Sequence, residues 1–188
     1  MELMDAIRGR RSVRRFTEQP VTNEEIAQLI DAARAAPSWA NLQAWEFIVV
    51  RDRAKIQAVA GTYGEKNPAT RCSLAAPALI VACARRGLSG FGYPDQAREA
   101  AGLGEWFMFD LGMAVQNLCL RAHDLGLGTV VVGMLDHAAC NRLLALPADV
   151  TSVVVVPVGR PAVAAKEGPP RKPVSDITHL DSFCTKFS

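Results

Sequence analysis

Residues 105–135 read EWFMFDLGMAVQNLCLRAHDLGLGTVVVGML. The first two thirds are apolar at almost every helical position. They predict a long helix buried at the centre of the fold rather than an amphipathic surface helix. Gly126 or Gly128 ends that helix. TVVVGML, residues 129–135, turns to β-branched residues and predicts a strand. A helix with no polar face needs partners all round it, and the rest of the chain must supply them.

The flanking sequence does so. WEFIVV (45–50), APALIVACA (76–84) and SVVVVPVGRP (152–161) are short apolar runs that read as buried strands. Leu3 and Ile7 mark a short first helix ending near Gly9. TNEEIAQLIDAARAAP carries a capping box at Thr22 and Glu25, an apolar stripe of Ile26, Leu29, Ile30 and Ala33, and a stop at Pro37. Asp52 caps a second short helix that Gly61 ends, and Asp136 caps another running to Leu146. Residues 85–104 contain five glycines with Phe91 and Tyr93 between them, and read as a mobile loop or short irregular helix, a candidate lid. The final AKEGPPRKPVSDITHLDSF is proline-rich with little periodicity, an extended arm that packs on something else. No GxGxxG turn follows the first strand, so an α+β fold around one central sheet is favoured over a dinucleotide-binding α/β fold.

The chain has 188 residues, 49% hydrophobic and 21% charged, which suits one domain with an arm. A formal net charge of +2 argues against coating nucleic acid. The five cysteines are odd in number and include no CxxC, so neither a disulfide framework nor a zinc site is indicated. Cys83 and Cys119 sit in apolar runs and read as buried thiols. No signal-peptide pattern and no apolar stretch of membrane-spanning length appears, so the expected setting is cytoplasmic, with no membrane or metal partner.

Against that near-neutral background, RGRRSVRRF (8–16) places five arginines in nine positions. A solvated helix end would explain such charge. A bound anion would explain more of it. Ser12 adds a hydroxyl donor, an extended strand would aim Arg10, Ser12 and Arg14 one way, and the guanidinium fork suits phosphate oxygens. In PSWANLQAWEF (37–47), Ser38, Asn41 and Gln43 form either a simple turn or a donor–acceptor set for a heterocycle edge. Gly133 interrupts an apolar strand, a position that often marks close backbone approach to a ligand. Arg171, in PPRKP, is either a tail charge or a further ligand to the same anion. His123, His137 and His179 show no pairing that suggests acid–base work, and His123 reads as structural.

In their order and spacing these segments resemble the FMN-dependent nitroreductase family over nearly the whole chain. RRSVRRF matches its Arg-Arg-Ser opening, and PSWANLQAWEF its Pro-Ser-x-x-Asn-x-Gln segment. Residues 110–133 match its central helix and glycine strand, and PPRKPVSDITHLDSF its C-terminal tail. The resemblance implies an α+β nitroreductase-like fold: a central, mostly antiparallel mixed sheet flanked by helices, in an intertwined homodimer with a swapped C-terminal arm. It divides the chain into an FMN-binding domain, 1–165, and an arm, 166–188, that packs on the partner subunit.

It also implies FMN as cofactor, with NADH or NADPH as co-substrate. Arg10, Ser12 and Arg171 would hold the phosphate with Arg11, and Arg14 would reach the flavin ring near N1 and the C2 oxygen. Pro37, Ser38, Trp39, Asn41 and Gln43 would contact the flavin, from the second subunit. Val131, Val132 and Gly133 would line its opposite face, with a backbone N–H near Gly133 approaching N5. The implied reaction is a ping-pong hydride transfer to a nitroaromatic or quinone. Trp39, Arg71, Phe91, Tyr93 and Trp106 are the expected acceptor-pocket residues. Trp39 stands where the family is usually small, and Ala44 and Met134 also depart from its pattern. Dehydrogenase- or dehalogenase-type flavin chemistry, or a non-catalytic FMN sensor, are the alternative readings.

Overall fold

A computed structural model describes residues 1–91 and 105–185. The helices are α1 (Leu3–Gly9), α2 (Asn23–Arg34), α3 (Arg53–Ala60), α4 (Thr70–Ala75), α5 (Phe107–Asp124) and α6 (His137–Leu143). The strands are β1 (Trp45–Val50), β2 (Ala78–Arg85), β3 (Gly128–Thr129) and β4 (Val150–Gly159). They form one sheet in the order β1-β2-β4-β3, antiparallel at every strand pair. One parallel bridge, Ser12 to Thr129, adds the N-terminal segment to its edge. This is the expected α+β architecture.

The central position of β2 follows from its sequence. Its residues Ala78 to Ala84 are all buried, because helices cover both faces of the sheet. Ile80 and Ala82 point into a core shared with Leu29 and Ala33 of α2, Leu111 and Leu118 of α5, and Val156 and Val158 of β4. Leu79, Val81 and Cys83 point the other way, to Ile56 and Val59 of α3, Cys72 of α4 and Cys140 of α6. The period of two in a strand thus serves two cores at once. The capping box is present: Thr22 Oγ1 accepts from Glu25 N (3.1 Å) and Glu25 Oε2 from Thr22 N (2.9 Å). Asp52 and Asp136 cap α3 and α6 as read.

Several sequence readings are corrected. The helix within 105–135 is not buried on every side. Leu111, Ala114, Val115, Leu118 and Cys119 face the core, but Met108 (57% exposed), Phe109 (59%), Gly112 and Gln116 form an open stripe. The strand read over 129–135 survives only as Gly128–Thr129, with isolated bridges at Val132 and Leu135. The reason is Pro157. The pairs Gly128–Gly159, Thr129–Val158 and Val132–Val155 share one register, which puts Pro157 opposite Val130. Val155 donates toward this edge, so the nitrogen two residues on faces it too, and proline has no N–H to give. The helix read to Leu146 stops at Leu143, because Ala145 adopts a left-handed conformation (φ 51°) just before Pro147. The short helix α4 was not anticipated.

Burial pushes the Cys83 thiol and the Tyr63 hydroxyl up to about 12, from ordinary values of 9.0 and 10.0. Both groups are therefore neutral in the fold at pH values where the unfolded chain ionises them. Their contribution to stability is complete below pH 9 and is lost as pH rises toward 12. We predict a thermal midpoint that falls steadily between pH 9 and pH 11, measured by circular dichroism, and a shallower fall in Cys83→Ala.

Candidate functional site

The arginine segment is extended because the sheet edge holds it. Val13 N donates to Thr129 O at 2.8 Å, Thr17 N to Arg160 O at 2.9 Å, and Ala162 N to Arg15 O at 2.9 Å. Gly128 makes the first contact possible, since a Cβ there would lie 2.6 Å from the Val13 side chain. Before this segment, Gly9 lies against His123, whose Nε2 would sit 2.7 Å from an added Cβ, so His123 is a packing residue of the C-terminal turn of α5.

Beyond β4 the chain turns back along the arginines. Residues 163–171 and the 7–15 segment enclose an open groove of about 1050 Å³. Its lining includes Arg8, Arg10, Arg11, Arg14, Arg15, Lys166 and Arg171, against one acid, Glu167, with the Ser12 hydroxyl among them. Among the described residues none of these seven cations forms an ion pair. Arg11 folds back, donating from Nη1 to the carbonyls of Arg8 and Arg10, and lies 2.9 Å from where Gly168 would carry a Cβ. Its Nε is buried with no partner. Gathering like charges without counter-charge is unfavourable, and an anion in the groove removes the penalty. The structure thus unites Arg10, Arg11, Ser12 and Arg14 with Arg171, some 160 residues away in sequence.

At the other end of α5 lies the polar loop. Ala40, Asn41 and Gln43 have φ values of 48°, 57° and 49°, and none is glycine. Left-handed backbone costs a residue with a Cβ about 1–2 kcal/mol, least for asparagine. Side chains hold the loop in this form. Ser38 Oγ accepts from Gln43 N at 3.0 Å, and the Asp110 carboxylate accepts from Trp39 N at 3.1 and 3.2 Å. Trp39 stacks obliquely on Trp106 (centroids 5.2 Å apart, planes at 49°), and Trp106 meets Phe109 edge-on at 5.3 Å. Trp39 and Trp106, both expected in the acceptor pocket, lie side by side.

The remaining expected residues divide. Val131 (47% exposed) and Gly133 face outward, while Val132 is buried against Val155. A Cβ at Gly133 would only make ordinary contact with Val154 at 3.7 Å, so nothing in its own chain demands glycine there. Arg71 is exposed on α4, outside the groove lining. Phe91 is half-buried, and Tyr93 lies outside the described residues. Burial raises the thiols of Cys72 and Cys119, opposed at Cys72 by the Arg14 charge and at Cys119 by the Thr129 hydrogen bond, then Arg10. Neither is an activated nucleophile.

Two positioning residues escaped the sequence reading. Asp110 is 2% exposed, an acid flanked by apolar residues in the first turn of α5. Asn67 donates from Nδ2 to Met134 O at 2.8 Å and accepts from Ala69 N at 2.9 Å, fixing the segment after Gly133. A polar residue isolated in an apolar stretch was the available signal for Asp110. Asn67 sits in an ordinary turn sequence and gave none.

Groove and loop are held apart by α5. Asp110 and His123 are thirteen residues apart on that helix, about 20 Å at 1.5 Å per residue. An α+β sheet with a cationic cleft at its edge and a strained polar loop defines a protein built to hold an anionic ligand. Comparison with known proteins makes this specific. Residues 7–160 match the family model described as the nitroreductase family, and the chain belongs to that family. A Methanothermobacter thermautotrophicus protein, provisionally named NADH dehydrogenase/NAD(P)H nitroreductase, is 33% identical over 166 residues, which span 86% of this chain and 78% of its own. The FMN reductase (NAD(P)H) of Bacillus subtilis is 26% identical over 190 residues, 97% of this chain and 74% of its own. The crystal structure of a nitroreductase family protein from Clostridium novyi superposes with a TM-score of 0.76 at 26% identity, covering 100% of this chain and 97% of that one.

Gly128→Ala should lower stability by about 1–3 kcal/mol in urea denaturation, through overpacking against Val13. Val13→Ala in the same chain should restore part of the loss, and additive effects would show the contact to be irrelevant.

Proposed function

We propose that this chain is an NAD(P)H-dependent FMN oxidoreductase that reduces electron-poor acceptors such as nitroaromatics or quinones. The observation that carries the reading is the uncompensated cationic groove joining Arg10, Ser12 and Arg14 to Arg171. Its donors fit a phosphate: guanidinium forks, a hydroxyl, and the unpartnered Arg11 Nε. The names of the relatives, an NAD(P)H nitroreductase and an FMN reductase, support the same chemistry.

When bound, FMN would supply the hydride-transfer chemistry of a ping-pong reaction between NADH or NADPH and the acceptor. Arg10, Ser12 and Arg171 would anchor the phosphate, with Arg11 bracing the segment. Arg14 would place positive charge at the pyrimidine edge, favouring negative charge added there. Val131 and Gly133, which face outward, would back one face of the ring, with Val132 buried behind them. Pro37, Ser38, Trp39, Asn41 and Gln43 would meet the ring from a second subunit.

That last role requires a homodimer, and the spacing along α5 supports one. Within one chain the loop is seated on the first turn of α5 and the arginine segment follows the residue packed on its last turn, Asp110 and His123 lying about 20 Å apart along the helix, so a second copy could bring its loop to this groove. The open α5 stripe of Met108, Phe109, Gly112 and Gln116 suits packing of a second copy. Exposed Val174, Ile177 and Phe183 suit an arm, residues 166–188, that crosses to the partner from a domain over 1–165.

The test is the anaerobic visible spectrum of FMN-supplemented, desalted protein before and after NADPH, then NADH. Flavin bands should persist and bleach with one nucleotide. Retained flavin that neither nucleotide reduces would favour a sensor or specialised flavin chemistry; protein that emerges colourless would overturn the reading. Arg10→Ala and Arg171→Ala should each weaken FMN binding about tenfold or more, as expected for losing a charge-assisted hydrogen bond.

A further inference from the structure

Asp110 is the one carboxylate of α5 sealed from solvent, at 2% exposure. Among the described residues it pairs with no cation. Three hydrogen bonds satisfy it instead. Ser89, itself 1% exposed, donates its hydroxyl to Oδ2 at 2.6 Å. Trp39 N–H is shared between Oδ1 and Oδ2 at 3.1 and 3.2 Å. Its place in the first turn of α5 adds the favourable end of the helix dipole. Packing alone does not call for a charge here, because a buried carboxylate is costly and an apolar side chain of similar volume often stabilises as well or better.

What the carboxylate holds is the start of the strained loop. Trp39 N–H lies one residue before Ala40 and Asn41, both in the left-handed region, and Gln43 follows in the same region. Trp39 is fixed twice, through its backbone by Asp110 and through its ring by Trp106. Ser89 in turn fixes the carboxylate. The arrangement is a chain of contacts from the segment before the undescribed residues, through α5, to the loop.

We propose that Asp110, braced by Ser89, is a positioning residue that holds the Ser38–Gln43 loop in its left-handed form, so that Trp39, Asn41 and Gln43 meet the ring end of a flavin bound across the dimer. This rests on the flavin reading above. It acts through Trp39 and touches neither cofactor nor acceptor, so it governs ring recognition and not phosphate anchoring.

The experiment compares wild type, Asp110→Asn, Asp110→Leu and Ser89→Ala as full chains. Each is titrated with FMN, with riboflavin, and with inorganic phosphate as a competitor of FMN, alongside the visible spectrum and the thermal midpoint. The expected result for Asp110→Leu is about tenfold or more weaker binding of both FMN and riboflavin, unchanged competition by phosphate, and shifted flavin bands. Asp110→Asn should recover part of the loss, since its Oδ1 still accepts from Trp39 N–H, and Ser89→Ala should move the same way by less. If Asp110→Leu does not fold, the other two variants carry the comparison. Variants that bind FMN and riboflavin like wild type with unshifted bands, losing only thermal stability, overturn the proposal and leave Asp110 a structural residue. Wild type that binds no FMN overturns the flavin reading and this one together; the two failures differ in which protein shows them.

Discussion

The helix α5 is a strut of fixed length, and its length sets everything else about the site. Its last turn seats α1 through the Gly9–His123 contact, and α1 delivers the arginines. Its first turn seats the polar loop through Asp110. A helix of eighteen residues cannot shorten, so groove and loop stay apart in any one chain. The stripe left bare along the same helix is then more than leftover apolar surface. In the proposed homodimer, a second copy packed on that stripe would bring its loop toward this chain's groove.

Groove and loop both hold local free energy that the fold has to offset. The groove concentrates cations that repel. The loop keeps three side-chain-bearing residues in left-handed backbone. The surrounding structure is correspondingly over-determined: β2 is buried on both faces, and its neighbours seal two cores. The arginine segment itself is tied by backbone bonds at Val13, Arg15 and Thr17, so its repulsion cannot relax by peeling the strand away. A strained site on a well-buried sheet is the arrangement expected where binding geometry matters more than local comfort.

How legible this was depends on how local the controlling interaction is. The caps at Thr22, Asp52 and Asp136 were readable because the donor and acceptor lie within three residues of each other. β1, β2 and β4 were readable because each is a continuous apolar run of strand length, and β2 and β4 lie in the middle of the sheet. The truncation of β3 was not, because it depends on Pro157 lying across from Val130 in a register no local pattern reveals. The open face of α5 was hidden for a related reason: Met108 and Phe109 look like core residues in sequence whether they meet this chain or a second copy. The arginine cluster announced an anion by itself. The residues alone left Arg171 as either a tail charge or a further ligand to that anion; the fold brings it into the same groove.

Trp39 shows how a departure from the family pattern and a buried charge explain each other. A large ring at a position that is usually small would, if free to turn, sweep across the ring end of the site. Here it cannot turn freely, since Trp106 lies against one face and the backbone beneath it is held by Asp110. Immobilised in this way, the indole becomes a wall instead of an obstruction. If the loop meets a flavin as proposed, such a fixed flat wall would narrow the space beside the ring to planar acceptors. The carboxylate buried in an apolar helix is therefore best understood by what it lets the chain do with a bulky residue 71 positions away in sequence: keep it still.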